Sequence, residues 1–245
     1  MKSAYKGKEK RVIDAFRDLL VCAMGGSYNG KALLLFSGGR DSSAVATIFL
    51  HAFPEGELHL LTLDNGVVSG LESSSAQAKL IHELHPGKRM VTSLRSVAPM
   101  MQRYGMQQIQ DDFTVRGYKT LLTCAACKMC MSAAAADYAH ENDIQVVLDG
   151  YAKRQANFPE QTETFISALK DYYKSRGITA LSPLYDELAS KDRVNELLED
   201  LGLTILKQEP KCMFAHSFTI ASDEDIKAFV AERLAMIVAG EHGHE

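Results

Sequence analysis

One stretch constrains this chain more than any other: Leu33-Leu34-Leu35-Phe36-Ser37-Gly38-Gly39-Arg40-Asp41-Ser42-Ser43. An apolar run ends in Ser-Gly-Gly, and Asp and two serines lead into Ala44-Val45-Ala46-Thr47-Ile48-Phe49-Leu50. The order reads as strand, tight turn, helix. Two glycines let backbone N–H groups approach an anion closely, in dihedrals that a side chain would forbid. The helix behind them points its unpaired N–H groups and its positive dipole end at the same place. Ser37, Gly38, Gly39, Arg40, Asp41, Ser42 and Ser43 are therefore the candidate phosphate-holding residues. Asp41 is placed to orient the loop or to meet a magnesium ion. No Gly-Lys-Ser/Thr follows, so this is not the Walker loop.

The rest of the chain supplies the layers such a turn needs. Val12, Ile13, Phe16, Leu19, Leu20 and Ala23 mark an amphipathic helix over 9–24, with Cys22 expected in its core stripe. A strand is expected at 32–36 and the helix after the turn runs to about Ala52. Residues 57–64 read as a second buried strand ending at Asp64-Asn65-Gly66. A helix from Ser69 to Leu84 and a short strand at 89–94 follow. This β-α-β-α-β order implies a parallel sheet with helical crossovers. Residues 95–120 lack clean periodicity and read as a helix then a loop, with Met100, Met101 and Met106 filling core or forming a lid. A fourth strand is expected at 144–150, then helices over about 161–174, from Ser190 to a stop at Gly202, and from Ser222 to Ala239. In an open parallel sheet, ligands bind outside the carboxyl ends of the strands. That rule brings Asp64, Gly150, Lys153 and Arg154 to the same rim, the last two with charge that suits a triphosphate.

Five cysteines, Cys22, Cys124, Cys127, Cys130 and Cys212, are an odd number, and three of them recur at every third residue. That pattern points to metal or sulfur chemistry instead of disulfides. The segment Cys124–Tyr138 is alanine-rich and helix-forming. On a helix each three-residue step turns by about 60°, which keeps the three thiols along one side. Soft thiolates select zinc or iron–sulfur clusters. Cys124, Cys127, Cys130 and Cys212 are the candidate ligands, and three buried core cysteines are the plain alternative.

The chain has 245 residues and a formal net charge of −4, so no global basic field advertises nucleic acid. No apolar run approaches the roughly 20 residues of a membrane span. Lys2, Lys6, Lys8, Lys10 and Arg11 read as a solvated leader instead of a targeting signal, and His242 and His244 as a frayed tail. Cytoplasm is the expected location. The organisation expected is an N-terminal helix and loop over 1–30, a nucleotide-binding domain over 31–220 with a cysteine-rich insert at 124–130, and a C-terminal helix and tail over 221–245.

Ser37-Gly38-Gly39-Arg40-Asp41-Ser42 resembles the SGGxDS signature of the PP-loop ATP pyrophosphatases. The resemblance spans roughly residues 30–217. It implies an α/β fold: an open, doubly wound parallel sheet of the adenine-nucleotide alpha-hydrolase (PP-loop) type, here with a C-terminal helical extension. It also implies ATP with Mg2+, adenylylation of an acceptor oxygen, and release of pyrophosphate. The turn Gly150-Tyr151-Ala152 matches in position, not identity, a Gly-His-Asn-like turn that faces the phosphates in that superfamily. Cys124, Cys127 and Cys212 resemble the Cys-x2-Cys pair and distant cysteine that hold a four-iron (4Fe-4S) cluster in two-thiouridine tRNA enzymes, leaving Cys130 extra. Residues from Pro183 to Ala215 resemble the tail of the lactate-racemase cofactor sulfur-insertion enzymes, in which the cysteine matching Cys212 either gives up its sulfur or joins a cluster. Leu61–Gly66 is similar to the PP-loop sugar amidotransferases.

Taken together, these observations point to an ATP-dependent sulfur transferase. Asp41, Lys153, Arg154 and Cys212 would act in catalysis. Sulfur would be carried on an iron–sulfur cluster or on Cys212 itself. Its partners would be ATP, an acceptor that is a tRNA base or a small molecule, and a sulfur donor protein; a homodimer is open. Two other classes fit the same residues: a PP-loop amidotransferase or amide-forming ligase with structural zinc, and a non-catalytic nucleotide-binding redox sensor.

Overall fold

The computed structural model describes residues 7–25, 28–185, 191–206, 211–214 and 219–241. A five-stranded, all-parallel sheet runs through it, built from β1 (Lys31–Leu35), β2 (Glu57–Asp64), β4 (Arg89–Ser96), β5 (Val146–Leu148) and β6 (Thr179–Leu181). Its order is β4-β2-β1-β5-β6. After β1 the chain builds outward on one side through β2 and β4, then returns to lay β5 and β6 on the other. The order therefore reverses beside β1, which opens a crevice at the carboxyl ends of β1 and β5. A separate antiparallel pair joins β3 (Val68–Ser69) to β7 (Lys211–Cys212).

Strand composition follows position. Ala32, Leu33 and Leu34 of β1 are fully buried because helices cover both faces of a central parallel strand. β2 is buried nearly throughout and pairs with β1 from Lys31↔Glu57 to Leu35↔Leu61. β4, at one edge of the sheet, has mostly exposed side chains, including Leu94.

Two apolar cores flank the sheet. One joins α1 (Gly7–Met24), α2 (Arg40–Ala52), α3 (Glu72–Leu84) and α8 (Lys191–Asp200) through residues such as Phe16, Phe49, Ile81 and Leu198. The other joins α4 (Ala98–Tyr104), α6 (Thr123–Glu141), α7 (Glu163–Ser175) and α9 (Asp223–Glu241) through Tyr104, Ala133, Phe165 and Phe229. Helix α6 is buried on most sides, and its alanines let neighbours pack closely. Helix α9 begins with a reciprocal cap: the Asp225 amide donates to Ser222 Oγ, and the Ser222 amide donates to Asp225 Oδ2. Between α4 and α6 lies α5 (Ile109–Arg116). The Asp112 carboxylate there meets the buried guanidinium of Arg233 at 2.6 Å.

The order of elements follows the expected one, with local differences. Cys22 is exposed, not core. The buried stripe of α1 is Ile13, Phe16 and Leu20. Two residues past Leu20 a helix has turned by about 200°, onto the opposite face. The helix expected from Ser69 begins at Glu72, since Ser69 pairs in β3. The fourth strand is limited to Val146–Leu148, and residues 95–120 hold two helices and short 3-10 turns. Strands β3, β6 and β7 are too short to show a period. Ser190, Pro210, Ala215, His242 and His244 lie outside the described residues, as do Lys2 and Lys6. Among the described residues, no helix is long and apolar enough to cross a membrane.

Candidate active site

A cavity of about 440 Å³ opens at the reversal of strand order. Its floor is the turn between β1 and α2, with Ser37, Gly39, Arg40, Asp41 and Ser42 in its lining. Gly38 has φ +75, and a Cβ there would stand 2.6 Å from the Ser74 Cα. Only glycine fits both demands. Gly39 precedes α2 in extended conformation with no side-chain cap, and the Ser43 amide makes the bond to the Gly39 carbonyl. The amides of Arg40, Asp41 and Ser42 precede that bond, as a phosphate seat requires. Ser42 Oγ donates to the Gly39 carbonyl at 3.2 Å, and Ser74 Oγ donates to the Ser37 carbonyl at 2.6 Å. These bonds tie the turn to itself and to α3. Ser43 is fully buried behind the turn and does not line the cavity.

From the far side of the crevice, Gly150 packs against the turn. A Cβ at Gly150 would lie 3.0 Å from the Ser42 amide nitrogen. Arg154 Nη2 contacts both carboxylate oxygens of Asp41 at 2.5 Å, while its Nη1 is buried with no hydrogen-bond partner among the described residues. Lys153 is exposed and lies outside the lining of the cavity. The cationic side chains that do line it are Arg40 and Lys128. Asp64 is outside the lining too, and its Oδ1 accepts from the Gly66 amide at 2.8 Å. Its neighbour Asn65 lines the wall instead.

The cysteines divide. Cys124, Cys127 and Cys212 line the same cavity as the phosphate turn. Cys130 is fully buried in the core, and burial pushes its thiol up to about 12. Helical rotation explains the division: two steps of three residues accumulate about 120°, enough to carry the third thiol off the wall. Asn65 Nδ2 donates to Cys127 Sγ at 3.1 Å. Burial raises the Cys127 thiol, opposed by that hydrogen bond and by Lys128. Cys124 Sγ donates to the Phe214 carbonyl at 3.7 Å. Cys212 arrives from far along the sequence because β7 pairs with β3, Val68 opposite Cys212, and the Met213 amide donates to the Val67 carbonyl.

The remaining wall is mixed. Gln155, Glu160 and Gln161 come from 3-10 turns between β5 and α7. Burial raises the Glu160 carboxyl, and pushes Asp149 up to about 6. Asp149 accepts from the Tyr151 amide at 3.0 Å and from Ser182 Oγ at 2.9 Å. Lys128 Nζ lies 6.0 Å from the centre of the Tyr151 ring, within reach of a cation–π contact. Sequence reasoning did not assign Asn65, Thr123, Gln155, Glu160 or Gln161 to the site. The strand-end rule pointed to the two loops bearing Asn65 and Gln155–Gln161, and nothing in their composition singled them out.

Among the described residues, no three His, Cys, Asp or Glu side chains converge tightly enough to hold a metal ion as they stand. The fit to an iron–sulfur group is one of donor chemistry: three thiols on one wall, the ligand type such clusters take.

The chain that forms the phosphate turn and the reversed strand order also matches a known family in sequence. A profile described as Queuosine biosynthesis protein QueC matches residues 31–219, which span the whole sheet. The chain belongs to the QueC family. It is thereby a member of the PP-loop ATP pyrophosphatase superfamily. No curated protein sequence matches it significantly. Among solved structures, the U34-tRNA thiolase NcsA from Methanococcus maripaludis, determined with its [4Fe-4S] cluster, shares the fold at a TM-score of 0.54. The match has 15% identity and covers 96% of this chain and 74% of that one. Members of the QueC family are ATP-dependent PP-loop enzymes. The open parallel sheet and C-terminal helix seen here are those of that fold.

Proposed function

We propose that this QueC-family chain is an adenylylating sulfur transferase. It activates an acceptor oxygen with ATP, releases pyrophosphate, and replaces the activated oxygen with sulfur. The observation that carries this reading is that Cys124, Cys127 and Cys212 line the cavity that the phosphate turn floors. The fold shared with a tRNA thiolase supports it.

The residues divide the work. Backbone amides of the turn and the start of α2 hold the phosphates. Asp41 would hold Mg2+, and Arg154 fixes the carboxylate that does so. The acceptor oxygen attacks the α-phosphorus, and the P–O bond to pyrophosphate breaks. The electron pair leaves on pyrophosphate, whose charge meets the turn amides and the cavity-lining Arg40. A sulfur anion then attacks the activated carbon. The C–S bond forms, the C–O bond breaks, AMP departs with the electron pair, and any proton on sulfur passes to solvent. Cys124, Cys127 and Cys212 would hold an iron–sulfur cluster, which supplies a binding site for inorganic sulfur when present. Cys212 as a direct carrier is the metal-free form of the same proposal.

The family assignment favours a second reading, since QueC is a nitrile-forming enzyme. In it nitrogen replaces sulfur as the nucleophile, and the thiols bind zinc. Anaerobic purification separates the two. Iron with acid-labile sulfide, lost in a Cys124→Ala/Cys127→Ala double variant, supports sulfur transfer. Zinc without sulfide supports the nitrogen reading.

A further inference from the structure

The cavity contains a second helix start besides that of α2. Helix α6 opens on the wall at Thr123 and Cys124, and both residues line the cavity. Leu122 precedes it and supplies no side-chain cap. The Ala126 amide is bonded to the Leu122 carbonyl, so the amides of Thr123, Cys124 and Ala125 precede the first helical bond. Thr123 adds an independent sign of a ligand. It is 3% exposed, and its hydroxyl is buried with no partner among the described residues. A hydroxyl desolvated and left unpaired is costly, and an acceptor arriving in the cavity would relieve that cost. Lys128, on the next turn of α6, adds positive charge to the same wall.

We propose that the start of α6 and the Thr123 hydroxyl form a seat for anionic sulfur. This deepens the sulfur-transfer reading and rests on it. The phosphates already have the α2 turn, so a second donor cluster in the same cavity calls for a second anion. The neighbouring thiols of Cys124, Cys127 and Cys212 identify its chemistry as sulfide. Hydrosulfide free in the cavity and the inorganic sulfide of a bound cluster present the same acceptor to these donors. Thr123 is a binding residue for that sulfur, in the same cavity as the phosphate turn.

Two measurements on the full chain test the seat and tell the sources apart. Metal-free protein is titrated anaerobically with sodium hydrosulfide and followed through the backbone amide NMR signals of Thr123, Cys124 and Ala125. Cluster-reconstituted protein is titrated electrochemically with EPR detection. Thr123→Val keeps the shape and removes the hydroxyl; Thr123→Ser restores a hydroxyl, and Thr123→Ala substitutes if the valine variant does not fold. We expect about a fivefold rise in the hydrosulfide dissociation constant for Thr123→Val, the weight of one hydrogen bond. Alternatively, the cluster midpoint falls to lower potential, because hydrogen bonds to sulfur raise it. Serine rescues either effect. The first effect alone assigns free hydrosulfide, and the second alone assigns cluster sulfide. Wild-type protein that binds hydrosulfide or a cluster with both quantities unmoved in Thr123→Val overturns the seat and leaves sulfur transfer standing. Wild-type protein that takes neither overturns both.

Discussion

Arg154 reaches 113 residues back along the chain to hold both carboxylate oxygens of Asp41 through a single guanidinium nitrogen. The pair joins the β5 side of the crevice to the start of α2, so one contact links both edges of the proposed ATP site. Both side chains are 16% exposed. Removing Arg154 leaves a mostly buried carboxylate with the longer 3.4 Å contact to Arg40 Nε in place of the close pair. Arg154→Ala should raise the KM for ATP and lower stability by about 1–3 kcal/mol, measured by urea unfolding. Arg154→Lys should recover part of the stability and less of the ATP binding, since lysine lacks the planar fork.

Gly38 gives a sharper backbone test. The positive φ alone costs an alanine about 1–2 kcal/mol, and its Cβ would stand 2.6 Å from the Ser74 Cα. Gly38→Ala should therefore abolish ATP binding by isothermal calorimetry while circular dichroism still shows a folded sheet and helices. An alanine variant that binds ATP normally would mean that the turn does not need this backbone.

The cysteines should separate by their position. Cys124→Ala, Cys127→Ala and Cys212→Ala should each reduce anaerobic iron and sulfide content to near background. Cys130→Ala should keep both, and lose roughly 1 kcal/mol of stability from a small core cavity. A Cys130 variant that loses iron would place the ligand set on the core side of α6.

Acid lability has its own site. The His51 and His85 rings meet edge to face at 4.8 Å, and His85 Nε2 is buried without a hydrogen-bond partner among the described residues. Burial, with His51 and Lys88 nearby, lowers His85 from 6.5 to about 4. Below the unfolded value, the unfolded chain binds a proton that the folded chain refuses. Stability is thus lost as pH falls from about 6.5 toward 4, by up to roughly 3 kcal/mol. His85→Gln should flatten that slope in pH-dependent urea unfolding, whatever its effect on absolute stability. An unchanged slope would assign the acid sensitivity to other groups.

Much of the fold was legible because its signals are local and periodic. The run Leu33–Ser43 states strand, anion turn and helix within a few residues, and the structure shows β1 ending at Leu35 and α2 beginning at Arg40. Asp64 against Asn65 shows where such reading stops. The strand-end rule finds the loop, but which side chain faces the cavity depends on a turn in which Asp64 is spent capping Gly66. Cys130 failed for a similar reason. Regular spacing along the sequence becomes rotation around α6, and only the first two thiols reach the wall. Cys212 joins them through the β3–β7 pair, two residues per strand, a contact too short to leave a pattern in sequence. Lys153 reads as a catalytic charge in the sequence, but the turn after β5 leaves it outside the lining, while α6 brings Lys128 in.

In the function proposed above, one cavity couples adenylylation to sulfur delivery. The most direct test of that coupling is anaerobic turnover of α-labelled ATP with a sulfide source and fractionated acceptors, tRNA and small molecules separately. We expect AMP and pyrophosphate in equal amounts, matched by sulfur gained in one acceptor fraction, with sulfur gain and AMP release lost in Cys124→Ala/Cys127→Ala. ADP and phosphate as the products, or AMP formed with nitrogen instead of sulfur in the acceptor, would contradict it.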